Sequence, residues 1–182
     1  YWRNFGKNKS SFIAPSLTWF GERATVTASY SHRDYSAPFD RGTIFDLNTG
    51  HAVNVDRKTR FDEAFNITDG YSDLAQLNAE YRLNDAWTAR FDYSYSQDHY
   101  NDNQARVMAY DSATGNLTRR VDGTHGSTQK MHSTRADLQG NVVVGGFYNE
   151  LLTGVAYENY DLLRTDMLRC KNVKGFNIYH PV

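Results

Sequence analysis

Hydrophobic and polar positions alternate singly along much of the chain. Between residues 23 and 33 the apolar set is Ala24, Val26, Ala28 and Tyr30, with Thr25, Thr27, Ser29 and Ser31 between them. Residues 73–83 repeat the pattern, with Ala75, Leu77, Ala79, Tyr81 and Leu83 against Gln76, Asn78, Glu80 and Arg82. Trp87, Ala89, Phe91, Tyr93 and Tyr95 then alternate with Thr88, Arg90, Asp92, Ser94 and Ser96. A period of two sends successive side chains to opposite faces of a strand, so each segment predicts an amphipathic strand. Less regular segments at 10–19, 130–144 and 150–163 bring the expected total to six. Pro15 restricts the first of these to an edge or an irregularity, because it has no N–H for a ladder.

The connections fall into two classes. Those around Gly21-Glu22 and Asn84-Asp85 and across 145–149 are short, while those at about 35–70 and 100–128 are long. Inside the long ones, Thr43-Ile44-Phe45 and Ala52-Val53 flank a polar stretch at 46–50. Residues 107–110 and 117–121 likewise flank Asp111-Ser112-Ala113-Thr114-Gly115-Asn116. Asn, Asp and Gly at such tips predict hairpins. Strands of about ten residues joined alternately by tight turns and long loops form the wall of an outer-membrane β-barrel. Trp19, Phe20, Trp87, Phe147 and Tyr148 stand beside the short turns, where an aromatic belt meets the headgroup boundary. The fold class is therefore all-β, an antiparallel transmembrane β-barrel segment. Six strands do not seal a barrel whose smallest known form has about eight, so residues 1–182 read as part of a larger one.

Composition fits this reading. A mean hydropathy of -0.69 alongside 14% aromatic residues is unusual for a soluble globule, but a barrel wall exposes half its positions to water and rings its edges with aromatics. The 20 Lys and Arg balance 21 Asp and Glu, leaving no basic footprint for nucleic acid. No apolar run approaches the roughly 20 residues of a membrane helix. Tyr1-Trp2-Arg3-Asn4 begin without Met or a signal-peptide pattern and read as a mature or cut chain.

Little in the chain suggests bond-making chemistry. Cys170, the single cysteine, permits no internal disulfide; it is a free thiol or pairs outside this stretch. His32, His51, His99, His125, His132 and His180 lack metal-ligand spacing. The oxygen-rich segment 98–103 lacks the glycine and glutamate of a calcium loop. Asp62-Glu63 is an acidic pair of the kind expected to be solvated on a loop, and no nucleophile elbow or phosphate loop is present. Asn-x-Ser/Thr at Asn8, Asn66 and Asn116 carries no meaning on a bacterial surface. Neither enzyme activity nor an intrinsic cofactor or metal is expected.

Leu151-Leu152-Thr153-Gly154-Val155, the later Asn177-Ile178-Tyr179-His180-Pro181-Val182, Tyr35, Gly42-Thr43-Ile44-Phe45 and the strand pair around Asn84-Asp85 together resemble the TonB-dependent ferric hydroxamate receptors, particularly those for ferrichrome. The resemblance implies a barrel of about 22 strands with a plug in its lumen, of which this chain supplies about six strands and no plug. It implies location in the bacterial outer membrane with the long loops extracellular. It further implies capture of a ferric siderophore and import driven by TonB through a plug region outside this chain. The expected surroundings are outer-membrane lipid and lipopolysaccharide, with phages or protein toxins as further partners of the loops. Carried over by position, Tyr35 and Tyr110 are ligand-contacting aromatics. Phe39 substitutes for an aromatic expected where Ala37 stands, Met108 replaces another, and Tyr179 is a lesser candidate. Aromatic faces suit the carbon skeleton of a compact chelate, and phenol hydroxyls suit its oxygens. The rival readings are a passive porin and a soluble extracellular β-sandwich acting as a binding module.

Overall fold

A computed structural model of the chain describes residues 6–180; Tyr1 to Asn4 and the Pro181-Val182 end of the last quoted motif lie outside the described residues. These residues form one antiparallel sheet of nine strands and no helix. The strands are β1 (Lys9–Ile13), β2 (Ser16–Phe20), β3 (Ala24–Pro38), β4 (Ile67–Arg82), β5 (Trp87–Asp111), β6 (Asn116–Val144), β7 (Phe147–Leu163), β8 (Leu168–Arg169) and β9 (Val173–Asn177). β1 and β2 are two pieces of one expected strand, interrupted at Ala14-Pro15, and both pair with β3. From β3 to β7 each strand pairs with the next, giving an up-and-down meander with the six expected positions across it.

The register carries the sequence alternation across the whole sheet. Trp19, Val26, Ala79, Phe91, Ala136 and Val155 are successive cross-strand partners in one row. The neighbouring row with side chains on the opposite face runs through Thr18, Thr27, Asn78, Asp92 and Arg135. On that face Asn78 donates to Asp92 at 2.6 Å, Arg90 pairs with Glu80 at 3.1 Å and Arg135 with Asp137 at 2.7 Å. Among the described residues nothing covers the apolar face: Leu17 and Val155 remain 76% and 74% exposed. A soluble sandwich would cover such a face with a second sheet, whereas lipid accepts it as it stands.

Two of the tight turns show their chemistry directly. Asn84 accepts hydrogen bonds from the backbone of Ala86 and Trp87 at 2.9 and 3.0 Å, closing the β4–β5 link as a side-chain turn. Gly145 and Gly146 have φ of 61° and 85°, the left-handed pair required by a two-residue hairpin turn. At the opposite end, β5 and β6 continue far beyond the ten or so residues that span a bilayer, reaching 25 and 29 residues. The expected second loop is thus largely a strand pair, closed at Asp111, whose carboxylate accepts from Ala113 and Thr114. Residues 39–66, the first long connection, contain the expected small hairpin, with Phe45 bridged to Ala52 and Val53 bonded to Ile44.

The buried apolar cluster lies at this end. Leu117, Phe61 and Ile178 are almost fully buried, with Ile44, Val53, Val55, Val107, Tyr110 and Phe176 packed around them. Three separate segments meet there: the 39–66 connection, the β5–β6 tip, and the stretch carrying β8 and β9. That last stretch pairs with β6 above the point where β7 leaves it. Asn66 fixes the connection to β5 by donating to the Ala105 carbonyl at 3.0 Å and accepting from its N–H at 2.7 Å, so one side chain stands in for a ladder partner.

Candidate ligand-binding surface

The end with long connections carries the candidate site residues, at two levels. Tyr35, on β3, is half-buried beside a cleft of about 620 Å³ lined also by Lys9, Ser10, Asp69, His99 and Asn101. Its cross-strand partner is Gly70, and a methyl placed there would lie 2.9 Å from the Tyr35 hydroxyl and 2.0 Å from the His99 carbonyl. Only glycine lets the tyrosine and β5 approach so closely. The Arg33 guanidinium stands 5.7 Å from the Tyr35 ring centroid.

Tyr110 lies at the hairpin tip and is hydrogen-bonded to Tyr179, which β9 brings alongside β6. That bond, followed by burial and by the charges of Asp46 and Asp111, pushes the Tyr110 phenol up to about 12. Tyr179 also packs on Gly115, whose φ of 73° turns the tip. The structure therefore brings Tyr110 and Tyr179 together and sets Tyr35 apart. Tyr35 shares its row, through Gly70, with Tyr100, and the stretch of β5 from Tyr100 to Tyr110 amounts to up to about 30 Å of strand. Phe39 lies between these levels under the Arg41 guanidinium, 5.0 Å from its ring centroid. Met108 is exposed at the irregularity between Val107 and Ala109.

Charged side chains tie the hairpin together between the two levels. Asp122 is buried and accepts from Arg120 through both oxygens, at 2.7 and 2.9 Å, and from Arg106 at 3.3 Å. The Arg120 bonds hold its carboxyl below the usual carboxylate range. Farther along, Arg119 reaches Glu63 at 2.8 Å and lays its guanidinium 3.9 Å from the Phe176 ring centroid. This stack forms one wall of a second cavity, of about 420 Å³, whose other surfaces come from Phe65, Arg120, Val121, Lys171 and Val173. Sequence reasoning did not single out these residues. Their signal is the basic composition of residues 164–174, where Arg164, Arg169, Lys171 and Lys174 face only Asp166 in a chain of net charge -1. Among the described residues no cluster of His, Cys, Asp and Glu forms a metal site.

Sheet, register and uncovered apolar face together give a section of antiparallel sheet with the architecture of a β-barrel wall. The chain is similar over its whole length to the ferric preacinetobactin receptor BauA of Acinetobacter baumannii, with a TM-score of 0.80, 20% identity and 27% of that chain covered. It is likewise similar over its whole length to the ferric-catecholate import receptor Fiu of E. coli K12, with a TM-score of 0.76, 19% identity and 31% of that chain covered. In sequence, the metal-pseudopaline receptor CntO of Pseudomonas aeruginosa strain UCBPP-PA14 is 26% identical over 185 residues, which is 99% of this chain and 26% of the relative. The chain thus spans about a quarter of that relative. No protein-family model matches. These relatives are receptors, and none is an enzyme.

Proposed function

We propose that this chain is part of a TonB-dependent outer-membrane receptor that binds a ferric siderophore or related metal chelate and imports it. The observation that carries the proposal is the full-length likeness to receptors of such chelates, in a sheet whose apolar face is built for lipid. In this reading the long connections are extracellular, and lipid and lipopolysaccharide surround the apolar face. The outer loops also offer a foothold to phages or toxins. The polar face lines a lumen of about 22 strands, closed by a plug outside this stretch. β7 supports the need for more strands. Among the described residues it pairs only with β6, and a 17-residue edge of unpaired N–H and C=O groups is costly in lipid.

Tyr35, Phe39, Met108, Tyr110 and Tyr179 are ligand contacts in this reading. The local motif resemblance favours a ferric hydroxamate of ferrichrome type, while the relatives are named for preacinetobactin, a catecholate and pseudopaline. The test is uptake of radiolabelled chelates by cells making the whole protein, with and without TonB. TonB-dependent accumulation of one chelate is expected. Accumulation that is indifferent to TonB, together with steady unselective conductance in planar bilayers, would replace the receptor reading with the passive porin.

A further inference from the structure

We infer that His32 is a proton-operated clamp: as an imidazolium it locks β1 and β4 onto β3, and on losing a proton it releases β1, one wall of the cleft beside Tyr35. Both ring nitrogens of His32 meet carboxylates. Nδ1 lies 2.7 Å from Asp73 on β4, and Nε2 lies 3.1 Å from Asp34, two residues along β3. A neutral imidazole has one N–H and one lone pair, so donating to both carboxylates requires the cation. Each carboxylate is tied further: Asp73 accepts from the Tyr30 hydroxyl, and Asp34 accepts from the Ser11 hydroxyl of β1 at 3.2 Å. The register builds the same junction, matching Ile13, His32 and Asp73 across the three strands.

The two arms of the clamp are unequal. The Asp73 side chain is 20% exposed and makes the shorter contact, whereas that of Asp34 is 62% exposed. Water weakens the Asp34 arm more, so the one proton that a neutral His32 keeps stays on Nδ1, toward Asp73. The Nε2 lone pair then faces the Asp34 carboxylate, and attraction becomes repulsion. β1 is the strand that feels this, being five residues long, exposed throughout and separated from β2 at Ala14-Pro15. Besides the ladder, its side-chain ties to β3 among the described residues are Ser11 to the Asp34 carboxylate, Ser10 to the Asp34 carbonyl at 3.1 Å, and Ser10 with Arg33 at 3.2 Å. Lys9, Ser10 and Ser11 line the Tyr35 cleft together with Asp34 and Tyr71. Tyr71 stacks on His32 at 6.2 Å and on His99 at 5.0 Å. The row of His32 continues through Asp73, Gln97, Lys130 and Asp161, which puts Lys130 two strands, or about 10 Å, beyond Asp73. The bonded form of His32 is the protonated one. The clamp is therefore fully present below the ordinary histidine value of about 6.5 and is lost as pH rises through the value His32 has in the sheet.

The experiment is hydrogen exchange of the whole detergent-solubilised protein from about pH 5.5 to about pH 9, with each rate corrected for the intrinsic rate at that pH. Protection of residues 9–13 should fall about three- to fivefold across this range, the scale of one partly exposed ion pair, while that of residues 69–75 stays level. In His32→Gln the first segment should sit at the wild type's high-pH level throughout. Asp34 is well exposed, so Asp34→Asn leaves the fold intact, and it should likewise remove the pH dependence. Histidine-selective NMR of the wild type, with the His32 signal identified by its loss in His32→Gln, should find an imidazolium at about pH 7, where an ordinary histidine is mostly neutral. A neutral His32 ring at that pH, protection of residues 9–13 that is indifferent to pH, or a pH dependence that survives in either variant would each overturn the clamp.

Discussion

Replacing Leu117 by alanine should open the cluster at the long-connection end without loosening the barrel wall. Leu117 is 1% exposed and touches all three segments of that cluster, so truncation removes its buried carbons and leaves a cavity. Core Leu→Ala changes cost about 2–5 kcal/mol. The surrounding cluster is small, bounded by loop residues that can partly collapse, so a value of about 3 kcal/mol is reasonable here. At 1.4 kcal/mol per factor of ten, opening becomes more frequent by somewhat over a hundredfold. Hydrogen exchange read by mass spectrometry reports this directly, because specific amides are closed by the cluster. These include Asp46 to His51, Val53 to Ile44, and Ile178 to Gly115, at 2.9, 2.9 and 3.0 Å. Peptides carrying them should exchange roughly a hundredfold faster in the variant, while peptides from residues 73–96 of the wall should not change. The reasoning is refuted if the cluster amides accelerate by less than about tenfold, or if the wall accelerates with them.

Three other outcomes follow from the geometry. The Asp122 carboxyl is held low by Arg120, so its contribution is fully present above the ordinary carboxylate pKa and is lost as pH falls through the lowered value. Hairpin protection against exchange, corrected for the intrinsic rate at each pH, should therefore stay flat from neutral pH to about pH 4 and fall below it, a fall that Asp122→Asn should abolish. The Tyr110 phenol, raised to about 12 chiefly by Tyr179, contributes stability below the unfolded tyrosine value that is lost as pH rises through about 12. In ultraviolet titration Tyr179→Phe should move the Tyr110 transition back toward 10, as judged against Tyr110→Phe. Finally, if the receptor reading holds, Ala79→Arg puts a charge in the middle of the apolar rows that it gives to lipid, at a cost of about 2–4 kcal/mol, whereas Asn78→Arg points at Asp92 on the polar face. Urea unfolding in lipid vesicles should show the first variant clearly destabilised and the second near wild type.

The wall was legible because its physics is periodic. Each alternating residue from Ala24 to Tyr30 and from Ala75 to Tyr95 shares its face with the cross-strand partner it meets in the register. The hairpin tip was legible from Asp111 and Gly115, whose turn chemistry is local. The great length of β5 and β6 was not legible. Residues 98–104 and 119–128 do not alternate, and their strands depend on backbone pairing and on contacts such as Asp122 with Arg106 and Arg120. β8 and β9 carry no strand signal of their own for a related reason: their partner strand begins at Asn116, far back in the sequence. Among the site residues, the union of Tyr110 with Tyr179 needed that same long-range pairing. The Arg119–Phe176 stack needed it too, since neither residue carries a local mark of the other.

The cluster around Leu117 also limits how this surface can be altered. In the receptor reading, long connections of this kind invite exchange as separate cassettes, one variable stretch replaced by another. Here residues 39–66, the β5–β6 tip and residues 168–178 share one interior, and Asn66 is spliced into the ladder of a strand it does not belong to. A foreign sequence placed in any one of them would meet two unmatched neighbours. Grafts should therefore succeed only when all three travel together, and natural diversification of this surface should leave correlated changes across the three segments.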